Sequence, residues 1–266
     1  MKLAFIGGGV MGEAIIGALL SRGIAQADDI TACDVLAQRR DHLQRTYKVG
    51  AVDEGAAAVE GADVVVLAVK PQDFPPLARD LAGRLNAHQT ALSIMAGVSV
   101  AALRQALGHE AIVRAMPNTP AQIGQGMVVW TATEAVGSQA RDHVRSVLGA
   151  LGQELYVDDE KYVDMATAVS GSGPAFVFLV MEALIDAAVH IGMRREMATP
   201  MVIQTMLGSA LYAQTTGKHL ADLRNMVTSP GGTTAEGLLA LEEAGVRAAF
   251  AEAVVAAYEK AKRLGG

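Results

Sequence analysis

LAFIGGGVMGEAIIGALL, Leu3 to Leu20, is a short apolar strand, a run of glycines and an apolar helix with nothing in between. Gly7, Gly9 and Gly12 form a GxGxxG that closes the strand and opens the helix. Each glycine has its own task there: a tight turn, a close backbone approach to a pyrophosphate, and close helix–strand contact. The free amides of the helix N-terminus then face the phosphates. Asp34 closes the second β-branched run, DITAC, about 20 residues further on, where a carboxylate meets an adenosine ribose. Ile6, Gly7, Gly8, Gly9, Val10, Met11, Gly12 and Asp34 are therefore candidate cofactor-binding residues.

Outward from this stretch, LAFI, DITAC, DVVVLAV, TALSI, AIVRA, GMVVW and ELYV alternate with helical segments as far as Val157. Continuous apolar strands such as Val64–Val69 are buried on both faces, the habit of a parallel sheet covered by helices. Residues 1–157 are expected to form a Rossmann-like, doubly wound α/β domain. Ligands lie at the carboxyl ends of such strands. The loops there add Ala68, Val69, Lys70 and Pro71, then Ala96 and Gly97, then Asn118 to the cofactor set, Lys70 through its main chain. Asn118 suits either a nicotinamide amide or a turn cap. Asp34 would repel a 2′-phosphate and so favours NADH, while Arg39 and Arg40 stand near enough to compensate; the sequence leaves NADPH or NADH open.

Residues 158–266 carry no strand signal. Helices are expected from Lys161 to His190, Arg194 to Thr216, Lys218 to Val227 and Thr233 to the end, with Gly192, Gly217 and Gly245 at C-caps. Ser170-Gly171-Ser172-Gly173-Pro174 predicts a helix start at Pro174, with unpaired amides and two serine hydroxyls around it. Thr228-Ser229-Pro230-Gly231-Gly232-Thr233-Thr234 repeats the design. Thr233 with Glu236 fits a capping box, but neither Thr234 nor the paired glycines are accounted for by it. Amides bared at a helix N-terminus suit a small carboxylate, which makes Ser229, Gly231, Gly232, Thr233 and Thr234 candidates for holding an anionic substrate. Val246–Lys260 is apolar on most faces, as in a subunit interface or the central helix of a monomeric bundle.

Composition excludes several classes. Among 266 residues Cys33 is the only cysteine, and the six histidines show no metal-ligand spacing, so no metal is expected. A net charge of −6 without a basic, aromatic-interleaved cluster excludes a nucleic-acid footprint. Three glycines and Glu13 break the N-terminal apolar run, so it reads as no signal peptide and the chain as cytoplasmic. Glu182 and Asp186 interrupt Ala175–Gly192, which predicts a buried helix and not a membrane span.

In the order GGGVMGEAI, AVKPQ, MAGVS, RAMPNTPA, AVSGSGPAF and TSPGGTT, the chain resembles pyrroline-5-carboxylate reductase over essentially its whole length. The resemblance implies reduction of 1-pyrroline-5-carboxylate to L-proline by hydride from NAD(P)H. It also implies a helical C-terminal dimerisation domain interleaved with its partner, and in some members decamers. It assigns the SPGG-x-T turn to the substrate carboxylate, Thr234 to the ring nitrogen as the catalytic residue, and SGSGP to the neighbourhood of the nicotinamide, with Ser172 among the substrate-binding residues. Asp34, the DEGAAA loop and Met95 depart from the common pattern and leave the cofactor preference open. Two rivals are a hydroxyacid-type dehydrogenase and a non-catalytic NAD(P)-sensing module. The first needs an acid/base lysine, which SGSGPAFVFLVMEAL lacks; the second has no use for the Thr228–Thr234 turn.

Overall fold

The computed structural model describes residues 1–265, and Gly266, the end of the expected helical domain, lies outside the described residues. The chain divides into two compact units, Met1–Ser172 with the last helical turns from Ala256, and Gly173–Val255. In the first, eight strands make one sheet: β1 (Leu3–Ile6), β2 (Ile30–Cys33), β3 (Gly50–Val52), β4 (Val64–Leu67), β5 (Thr90–Ser93), β6 (Ile112–Met116), β7 (Gly126–Ala132) and β8 (Gly152–Tyr156). Their order is β3-β2-β1-β4-β5-β6-β7-β8. The first six are parallel; β7 runs antiparallel to β6, and β8 runs parallel to β7. The sequence expectation misses β3, whose three residues hold a single β-branched side chain.

The pleat explains the two layers. Leu3 and Phe5 enter one core with Val64 and Val66, against α1 (Val10–Ser21), α2 (Ala37–Tyr47) and α6 (Ser138–Gly149). Ala4 and Ile6 enter the other with Val65 and Leu67, against α3 (Gly55–Val59), α4 (Phe74–Leu81) and α5 (Val100–Leu107). Each fully buried Leu, Ile, Val or Phe contributes roughly 1.5–3 kcal/mol to holding helices on both faces. With β2 on one side of β1 and β4 on the other, the order reverses at β1, which opens the crevice at its carboxyl end.

After α7 (Lys161–Ala166) a π-helical stretch, Thr167–Gly171, leads into α8 (Gly173–His190). Then come α9 (Arg195–Thr216), α10 (Leu220–Met226), α11 (Thr233–Glu243) and α12 (Val246–Gly265). Gly192, Gly217 and Gly245 have φ of +97°, +61° and +71°, the left-handed geometry expected of them. The expectation of a buried helix over Ala175–Gly192 is corrected: Phe178 and Leu179 are 60% and 64% exposed in the single chain. Only Ala198 of residues 173–255 is buried, while Met201, Leu207, Leu211, Leu239 and Val255 stand exposed. The helix Lys161–His190, with a mean hydropathy of 1.7 in its apolar window, is long and apolar enough to cross a membrane by length and composition alone. An apolar surface of this extent on an isolated chain marks an interaction face.

Candidate functional site

The glycine turn is built by exclusion. Gly7 has φ of +105°, and a Cβ on it would lie 2.7 Å from the Ala68 carbonyl oxygen; one on Gly12 would lie 2.3 Å from that of Gly7. Gly9, in contrast, faces open space, with nothing within 4 Å of a Cβ built there. It is also the N-cap of α1, and no side chain caps that helix, so the first-turn amides are left for a ligand. An ordinary helix start in the same unit is capped: Ser99 Oγ accepts from Ala102 N on α5. This open, glycine-lined cradle at a helix N-terminus fits a dinucleotide pyrophosphate.

Asp34 stands beside it, with one carboxylate oxygen accepting from Gly8 N at 2.9 Å and the other from Leu36 N at 2.9 Å. Arg40 donates to the Asp34 and Val35 carbonyls at 2.8 and 3.1 Å. Arg39 holds the Gly8 carbonyl and pairs with Glu13 at 2.6 Å. Burial raises the Glu13 pKa, but hydrogen bonds from Arg39, His42 and Tyr47 outweigh it and hold the carboxyl below its ordinary value. A depressed folded-state pKa stabilises above the unfolded value of about 4.3 and is lost as pH falls through the folded one. Chemical unfolding is therefore expected to show Glu13→Gln less stable than the unaltered chain at neutral pH, with the difference shrinking as the medium is acidified below the unfolded value. Cys33 is a bystander: burial, then the charges of Asp34 and Asp53, push its thiol up to about 11.

Ala68, Val69, Lys70 and Pro71 follow β4, Ala96 and Gly97 follow β5, and Asn118 follows β6, all at carboxyl ends of parallel strands. Lys70 is exposed and Gly97 has φ of +77°. Met95 is buried in the α3–α5 core and turned away from the loop surface. The Asn118 carboxamide is engaged within the protein, donating to the Ser170 carbonyl and accepting from Met127 N, each at 3.0 Å. Sequence reasoning missed Arg114 on β6, which is 2% exposed and pairs with Glu160 and Asp164 at 2.5 Å each. Glu160 also accepts from Val100 N at the start of α5. The signal was present: a charge inside an apolar strand needs partners, and Glu160 and Asp164 are four residues apart on one helix face.

Two expectations about helix starts are corrected. No new helix begins at Pro174, because α7, the π stretch and α8 form one helix from Lys161 to His190. The serine hydroxyls are used inside it: Ser170 Oγ donates to the Ala166 carbonyl at 3.0 Å and Ser172 Oγ to that of Thr167 at 3.1 Å. The capping box does not form either. Gly232 is the N-cap of α11 and no side chain caps it, so Thr233 and Thr234 are the first and second helical residues. Upstream, Gly232 N donates to the Ser229 carbonyl at 3.1 Å, closing a turn with Pro230 second and Gly231, φ of +67°, third. A Cβ on Gly232 would lie 2.3 Å from Ser229 Oγ. Like α1, α11 thus presents first-turn amides with no side chain covering them.

A doubly wound sheet with an uncapped glycine turn at its first crossover, followed by helices that leave an apolar face bare, defines a dinucleotide-binding protein with an interaction face on its helical region. Residues 2–97 match the family described as NADP oxidoreductase, coenzyme F420-dependent, and residues 160–264 match pyrroline-5-carboxylate reductase dimerisation. The chain belongs to the pyrroline-5-carboxylate reductase family. It is 40% identical to pyrroline-5-carboxylate reductase from Synechocystis over 100% of this chain and 98% of that protein. The solved reductase from Coxiella burnetii superposes with a TM-score of 0.93 at 34% identity, covering 100% of this chain and 98% of the other. A reductase from Plasmodium falciparum with NADP bound has a TM-score of 0.91 at 30% identity, with coverage of 100% and 98%.

Proposed function

We propose the following division of labour for the reduction of 1-pyrroline-5-carboxylate to L-proline, which this chain carries out with NAD(P)H. The observation that carries it is the start of α11, where the Ser229–Gly232 turn bares amides that no side chain caps. Ser229, Gly231, Gly232 and Thr233 hold the substrate carboxylate there, the helix dipole favouring the anion. Thr234, at the second helical position, donates to the lone pair that the ring nitrogen gains as hydride addition turns it into the amine. The Ser172 hydroxyl hydrogen is directed to the Thr167 carbonyl, which leaves the oxygen's lone pairs to accept from a protonated imine N–H.

NAD(P)H supplies the hydride when bound, held by Ile6–Gly12, Asp34, Ala68–Pro71, Ala96 and Gly97. The one carboxylate–histidine pair beside them, Glu13 with His42, is tied up with Arg39 and Tyr47, and no such pair is required if the imine arrives protonated. The chain then has mainly to orient, an effect worth up to ~7–11 kcal/mol. Turnover of 1-pyrroline-5-carboxylate to proline with either cofactor tests the reading; oxidation of a hydroxyacid instead would favour the rival dehydrogenase.

Asp34 sets the cofactor ratio on this reading. Asp34→Ser is expected to shift the Kd ratio toward NADPH about tenfold, from ~1–2 kcal/mol of repulsion removed beside a 2′-phosphate. Fluorescence titration with both cofactors checks it, and an unchanged ratio assigns Asp34 elsewhere.

The domain boundary is placed at residues 157/158, where strand sequence ends, and the apolar helical face is assigned to a homodimer in the cytoplasm, from which larger assemblies such as decamers are built, rather than to a membrane. Light scattering is expected to give at least a dimer at micromolar concentration. Leu207→Asp, which places a charge on a side chain 50% exposed in the single chain, is expected to yield monomers. A stable, active monomer of the unaltered chain contradicts the assignment.

A further inference from the structure

We propose that Asn118 is a positioning residue that sets the Ser170–Ser172 segment for substrate, and that Pro174 leaves free the carbonyl by which it does so. This rests on the reading that Ser172 meets the imine. In a regular α-helix the Ser170 carbonyl accepts from the N–H four residues on, but that nitrogen belongs to Pro174 and has no hydrogen. Asn118 Nδ2 donates to the carbonyl instead, at 3.0 Å.

The other end of the same carboxamide accepts from Met127 N at 3.0 Å, which fixes which way the amide faces. One side chain thus ties three places together: the loop after β6, the start of β7, and the π-helical turn. The fit beside it is tight, since a Cβ on Gly171 would lie 2.9 Å from Met116 Cε.

The π turn decides where the Ser172 oxygen stands. Ser172 N and Ser172 Oγ both donate to the Thr167 carbonyl, five residues back, at 2.9 and 3.1 Å. A regular helix would shift the register by one residue and turn the hydroxyl to a different direction. Asn118 and Pro174 act together in this: proline forbids the regular bond, and asparagine supplies a donor from outside the helix.

The test separates bracing from positioning. Asn118→Ala is expected to lower Tm by a few degrees and to raise KM for 1-pyrroline-5-carboxylate about tenfold, with the Kd for NADPH changed less than about twofold. Pro174→Ala provides the missing N–H, so in the double variant the helix satisfies its own carbonyl. Tm is then expected to recover while KM stays raised, because the π turn is gone. A double variant that recovers both Tm and KM reduces Asn118 to a brace and overturns the inference. So does an Asn118→Ala variant that loses NADPH affinity with KM unchanged, which would return Asn118 to the nicotinamide. Absence of turnover by the unaltered chain, with NADPH bound, would instead overturn the reading of function on which the inference stands.

Discussion

Gly9→Ala is expected to weaken NAD(P)H binding between about tenfold and a hundredfold while leaving the fold untouched, as inserting a methyl group into an occupied close contact costs ~1–3 kcal/mol. In the protein alone that methyl meets nothing within 4 Å, and the backbone at Gly9, φ of −68°, suits any residue. The penalty therefore falls only when a pyrophosphate comes close. Gly12→Ala makes the contrast, since its Cβ would lie 2.3 Å from the Gly7 carbonyl and disturbs the turn itself. Titration of each variant with NADPH, beside its thermal unfolding, distinguishes them. Unchanged affinity in Gly9→Ala would mean that the cofactor does not approach α1.

Thr234→Ala is expected to lower kcat between a few-fold and about a hundredfold with cofactor affinity unchanged, the loss of a hydrogen bond worth ~0.5–1.5 kcal/mol, or up to ~3 to a charged partner. Thr234→Ser, which keeps the hydroxyl, is expected to lose less. Thr233 makes the control. With Gly232 and not Thr233 at the N-cap, Thr233→Ala removes no cap, and stability is expected to stay within about 0.5 kcal/mol. If Thr233→Ala abolishes turnover and Thr234→Ala does not, the two threonines exchange roles.

The parts legible in the sequence are those that one local pattern determines. Leu3–Ile6 and Val64–Leu67 are apolar without alternation because both faces of the sheet are covered, and this pattern with Gly7–Gly12 was enough to read the covered parallel sheet and its first strand-to-helix turn. β3 escaped because its pairing with β2, and not its own composition, makes Gly50–Val52 a strand. Pro174 read as a helix start because proline favours that position, yet an existing helix accommodated it through a π turn and a side chain from the loop after β6. Thr233 and Glu236 have capping-box spacing, but the Ser229–Gly232 turn brings Gly232 to the cap first. The apolar residues of α8 read as core, which they are not in a single chain; hydropathy reports that a face is covered, without saying by which chain.

Isotope transfer from the nicotinamide to the product reports the reaction itself. With NADPH or NADH carrying deuterium at both C4 positions of the nicotinamide, and 1-pyrroline-5-carboxylate as the other substrate, mass spectrometry is expected to find L-proline carrying one deuterium, on the ring carbon that was the imine carbon. No proline from a folded, self-associated protein with either cofactor, or proline without the label, would contradict it.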